Sequence, residues 1–205
     1  MVKGKVLARK RKPSRRRTPW NKGTQVGQKL PLTPSQIRSI RSRLKSAQKM
    51  RELALFHLAI DSGLNACDTI GLRVRDIARG HRILTRATVT PRGSQSPIQF
   101  EITEQTREAV AKWMNQAKLQ PKDFLFPSRL RESPHLSLRQ YARIVDGWVQ
   151  EIGLDPAAYG TQTLRRTTAS LIYRRTKNLF AVQLLLGHTK LESTVRYLRT
   201  EIDDA

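Results

Sequence analysis

One stretch constrains this chain more than any other: Thr161 to Tyr197, TQTLRRTTASLIYRRTKNLFAVQLLLGHTKLESTVRY. Leu164, Leu171 and Ile172 recur at helical spacing, and so do Val182, Leu185 and Leu186, which predicts two helices with a boundary at Asn178-Leu179-Phe180. Gly187 reads as the residue just past the second helix, where only glycine enters the left-handed region at low cost. His188 leaves that turn, with its ring expected against the preceding helix. A third short helix is expected from Leu191, with Tyr197 one face away from Val195 and Leu198. Arg165, His188 and Tyr197 thus follow one another in an order that phosphoryl chemistry can use.

Charge narrows the partner. The formal net charge is +23, but it is unevenly spread: Met1 to Arg51 hold 17 Lys and Arg and no acid. A basic arm on a mildly basic domain is the electrostatic footprint of a nucleic-acid binder. Arg9, Lys10, Arg11, Lys12, Arg15, Arg16 and Arg17 would neutralise several phosphates together and release their counterions. Residues 1–32 are poor in apolar side chains and form a flexible arm on composition; Trp20 would stack on a base or anchor the arm. Residues 33–205 form one domain with room for a sizeable core. A lone cysteine, Cys67, precludes an intrachain disulfide and fits a reducing, cytoplasmic, nucleoid-associated setting. No apolar run is long enough to span a bilayer, and the start of the chain has no apolar signal-peptide core. His57, His81, His135, His188 and Cys67 show no metal-ligand spacing, and no glycine-rich loop cradles a nucleotide, so neither a metal nor a cofactor is expected.

Thr33 and Pro34 open a first helix, with Ile37, Ile40 and Leu44 on its apolar stripe. A second covers about Met50 to Asp61 and ends at Ser62-Gly63. Arg82 to Thr90 and Ile98 to Ile102 alternate as strands do, joined by the turn PRGSQSP, residues 91–97. A helix from Thr103 to about Lys118 buries Val110, Trp113 and Met114. Ser137 and Gln140 form a capping-box pattern before a helix that buries Tyr141, Ile144, Val145 and Trp148. The fold class is therefore α+β, mainly helical, with a small antiparallel sheet.

Leu-Arg-Arg-Thr at 164–167, Leu-Gly-His at 186–188 and a tyrosine nine residues after that histidine resemble the catalytic domain of tyrosine recombinases, the phage integrases. The resemblance runs from about Thr33 to about Arg199. It implies that Tyr197 is a nucleophile forming a phosphotyrosyl ester with DNA, which stores the bond energy for religation. It implies that Arg165 holds two non-bridging phosphate oxygens and that His188 hydrogen-bonds the same phosphate. A core tyrosine and a helix-capping histidine are the plainer roles for Tyr197 and His188.

Three positions depart from the family pattern. Asn65 stands where a first arginine is expected, Gln162 where a first histidine is expected, and no lysine occupies the hairpin, where Arg92 is the nearest substitute. A guanidinium does not release protons at ordinary pH. Arg73, Arg92 and Arg166 are expected to face DNA, with Arg166 also suited to packing. The resemblance implies a double-stranded DNA partner, a homo-oligomer on that DNA and site-specific recombination. The three departures leave enzymatic strand cleavage open. A catalytically silent DNA-binding protein on the same scaffold is the first alternative. An RNA-associated basic protein, suggested by the arm alone, is the second.

Overall fold

The computed structural model describes residues 28–93, 96–128 and 133–198. Its centre is α2 (Met50–Ser62), in which every residue from Leu53 to Ile60 is buried. A helix that is apolar on nearly all sides must be covered on all sides. It is covered by α1 (Pro34–Ser46), α5 (Glu104–Ala117) and α7 (Thr163–Thr176). Full burial of Leu55, Phe56 and Leu58 contributes roughly 1.5–3 kcal/mol for each side chain.

Helix starts follow the sequence chemistry. Thr33 and Gln36 form a complete capping box for α1, and Ser137 and Gln140 form one for α6 (Leu138–Glu151). Tyr141, Val145 and Trp148 are buried along α6, and Trp148 donates to Glu52 of α2 at 2.8 Å. The segment DFLFPS inserts Leu125 and Phe126 into the core, and the Leu125 carbonyl accepts from Trp113 at 2.8 Å. That contact leaves Trp113 half-buried at the core margin.

The small antiparallel sheet is present but divided. Strand β3 (Arg86–Val89) pairs with β4 (Ile98–Glu101), with Arg86 opposite Glu101 and Val89 opposite Ile98. The strand expected from Arg82 to Thr90 breaks after Ile83. Arg82–Ile83 (β2) folds back on Ala78–Arg79 (β1), and the Leu84 amide donates to the Ile77 carbonyl. Those bonds claim the backbone that a longer strand would have offered to β4. Arg73 and Arg75 lie at the cap and inside the short helix α4 (Val74–Ile77).

A second, smaller apolar cluster joins Ala169 of α7 to Val182 and Leu186 of α8 (Leu179–Leu186) and to Leu198, just past α9 (Leu191–Tyr197). It fixes the two short C-terminal helices against α7. Asn178 caps α8 through its side chain, and Gly187 closes it in the left-handed region at φ 63°.

Candidate active site

Arg165 lies on the first turn of α7, and its two terminal nitrogens are held by separate elements. Nη1 donates to the Gly63 carbonyl at 2.9 Å and Nη2 to the Leu186 carbonyl at 2.7 Å. Gly63 caps α2 and Leu186 ends α8, so the guanidinium sits between two helix C-termini, where the backbone dipole favours a cation. Burial lowers its pKa from the usual arginine value, opposed by the Tyr197 phenol and the Asp68 carboxylate. Gly63 serves this arrangement twice. Its φ is 57°, and a Cβ there would lie 3.2 Å from the Thr168 side chain and 3.3 Å from that of Leu185.

His188 follows the α8 cap, as expected, but its ring turns to the next helix, not the preceding one. Nδ1 lies 3.0 Å from the hydroxyl of Thr194 on α9, while the backbone reaches back to Gln183: the His188 N–H donates to its carbonyl and the His188 carbonyl accepts from its side-chain amide. The imidazole stands edge-on to the Tyr197 ring, with centroids 5.8 Å apart and planes at 75°. Burial first, and the charge of Arg165 second, lower the His188 pKa from its usual 6.5. The ring is therefore neutral at pH 7 and can offer one N–H. Arg165, His188 and Tyr197 thus share one locus, assembled from α7, the α8–α9 turn and α9.

The substituted positions lie around that locus with different commitments. Asn65 caps α3 (Ala66–Gly71), and both polar ends of its side chain engage Asp68. Gln162 is exposed at the start of α7 and makes no side-chain cap. Arg92 is exposed on the hairpin, and its backbone N–H donates to Asp68 at 3.0 Å. Arg73 lies over the Phe124 ring, 4.0 Å from its centroid, and donates to the Lys122 carbonyl.

Arg166 takes the packing role of the two expected for it, not the DNA-facing one. Expected to face DNA, it is 5 % exposed, and its guanidinium lies 4.4 Å from the centroid of the Tyr197 ring. Its neighbour Arg165 takes the locus, and the turn of about a hundred degrees per residue carries Arg166 to the inner side of the helix. Arg9, Lys10, Arg11, Lys12, Arg15, Arg16 and Arg17 lie outside the described residues.

Sequence reasoning missed Asp68. It is buried, accepts from both Asn65 and Arg92, and acts electrostatically on Arg165. Its signal was available: Asn-x-x-Asp at a helix start is a capping pattern whose acid lies in the first turn. Thr194, fully buried beside His188, left no comparable trace in the sequence.

Residues 31–202 match the phage integrase family. The chain belongs to that family. YoeC, a probable integrase/recombinase of Bacillus subtilis, is 26 % identical over 171 residues, which cover 82 % of this chain and 87 % of YoeC. The tyrosine recombinase XerD of Brucella suis is 28 % identical over 152 residues, or 72 % of this integrase-family chain and 48 % of XerD. The chain thus spans about half the length of that Xer relative. Among solved structures, the XerH site-specific recombinase in a post-cleavage complex with palindromic difH shares the fold. Its TM-score is 0.69 at 18 % identity, covering 85 % of this chain and 51 % of XerH. Among the described residues, no helix is long and apolar enough to cross a membrane.

Proposed function

We propose that this integrase-family chain binds double-stranded DNA and carries out site-specific strand cleavage and rejoining through a phosphotyrosyl intermediate, with weakened catalysis. The convergence of Arg165, His188 and Tyr197 carries this reading. In the cleavage step the Tyr197 oxygen attacks phosphorus, the bond to the 5′ oxygen breaks, and the phenolic proton passes to water. Arg165 offsets the charge of the pentavalent phosphate, and the neutral His188 donates its one N–H to it. The 5′ oxygen must then gain a proton, and the lysine that supplies it elsewhere in the family is missing. The XerH recombinase and the Tn1549 integrase, whose structures resemble this one, are described in complexes with their DNA, which supports a duplex partner here.

The weakening follows from what surrounds the locus. Losing one preorganised donor costs ~10²–10³ in rate, and losses within one catalytic unit do not add. Asn65 brings no charge, and its side chain is turned to Asp68. That commitment favours the second reading, a silent DNA-binding protein on the same scaffold.

Mixed-sequence duplexes carrying a nick that traps the covalent intermediate separate the two. Slow adduct formation that disappears in Tyr197→Phe supports the recombinase. No adduct, with duplex binding intact, supports the silent binder, and an adduct at the rates of intact relatives contradicts the weakening. Preference for structured RNA over duplex DNA at fixed salt would favour the RNA-associated reading.

A further inference from the structure

The segment that leads out of the basic arm is fastened to the end of the nucleophile-bearing helix. Gln28 makes two bonds across 138 and 168 residues of chain: Oε1 accepts from Arg166 Nη1 at 2.7 Å, and Nε2 donates to the Arg196 carbonyl at 3.2 Å. The same Arg166 nitrogen donates to the Tyr197 carbonyl at 2.8 Å, and its guanidinium stacks on the Tyr197 ring. Two successive carbonyls at the C-terminus of α9, which have no partner within their own helix, are thereby met by one surface glutamine and one buried arginine. Beyond Gln28 the strap continues over the domain. Leu30 donates to the Ala158 carbonyl and Leu32 to the Thr167 hydroxyl of α7.

Helix α9 has seven residues, and a helix that short does not hold itself together in water. Its register therefore depends on what grips it, and one grip is the residue next to residues 1–27, which carry ten Lys and Arg and no acid. We propose that Gln28 and Arg166 form a positioning clamp that couples DNA capture by the arm to the placement of Tyr197. Coupling between two sites is reciprocal: an arm drawn onto phosphates holds Gln28 in place and steadies α9, and a steadied α9 favours the engaged arm. Arg166 and Gln28 are positioning residues, acting through the backbone and ring of Tyr197. The inference rests on the proposed DNA-binding reading, but it does not require that cleavage survive.

Backbone hydrogen exchange over residues 191–198 tests it in the full chain, with and without a mixed-sequence duplex titrated in the same samples. The wild type should exchange there roughly fivefold or more slowly when duplex is bound. Gln28→Ala should bind duplex with the same salt dependence yet lose that protection. Lys29→Ala, which cuts the neighbouring tether to the Ala157 carbonyl and leaves α9 untouched, should keep it. Protection retained in Gln28→Ala, or absent in the wild type despite binding, overturns the clamp and leaves the functional reading standing. Failure to bind duplex overturns both.

Discussion

Asn65 commits both polar atoms of its side chain to Asp68: Nδ2 donates to the carboxylate at 2.6 Å, and Oδ1 accepts from the backbone N–H at 2.9 Å. At the position where the family's first arginine is expected, the chain carries a helix cap. A cap stabilises α3 but brings no cation to a phosphate. Asn65→Ala should therefore cost about 1 kcal/mol in thermal unfolding and leave the rate of covalent capture unchanged. Asn65→Arg with Gln162→His, which restores a charge and an imidazole, should raise that rate ~10²-fold.

Arg165 is both a phosphate ligand in the proposed reaction and a brace between Gly63 and Leu186. A lysine is a point charge on a flexible stem and cannot reproduce the guanidinium fork. Arg165→Lys should lower stability by about 1–3 kcal/mol, because a buried carbonyl loses its donor. It should also cut adduct formation by ~10². Denaturation and single-turnover capture on the same preparation measure both.

The leaving oxygen points to a further test. An alkoxide needs a proton as it departs, whereas a thiol ionises near pH 8–9, so sulfur leaves without one. Replacing the bridging 5′ oxygen by sulfur should speed capture by the wild type, because the substitution supplies what the missing hairpin lysine does not. Equal rates on the two substrates would show that leaving-group protonation is not what limits the chain.

His57 should make folding stability depend on pH. It is 6 % exposed, its Nδ1 lies 3.5 Å from the Thr106 hydroxyl, and burial, with Arg41 assisting, lowers its pKa from 6.5 to about 4. The unfolded chain takes up a proton below 6.5 that the folded chain refuses until about 4. Stability is thus full above that window and falls as pH drops through it, by up to roughly 3 kcal/mol. Chemical denaturation at several pH values should show this slope in the wild type and its loss in His57→Leu.

Much of this architecture was legible in local chemistry. Thr33 with Pro34, Ser137 with Gln140, and Gly187 after an apolar run each mark a helix end within a few residues, and the structure places those ends there. The interval from His188 to Tyr197 was legible for the same reason, since it crosses one turn and one short helix. Arg166 was not. Which face of α7 is buried depends on α9 and the strap at Gln28, contacts that span 31 and 138 residues of chain. Nor was the break after Ile83, because alternation reports which side chains are buried and not which neighbour the backbone chooses.

The most direct measurement maps the site of covalent attachment. The Asn65→Arg, Gln162→His variant is trapped on a sulfur-substituted duplex, digested, and sequenced by mass spectrometry. A nucleotide remnant on the peptide bearing Tyr197, absent when Tyr197→Phe is added, is the predicted result. Attachment at another residue, or none despite tight duplex binding, would contradict the account.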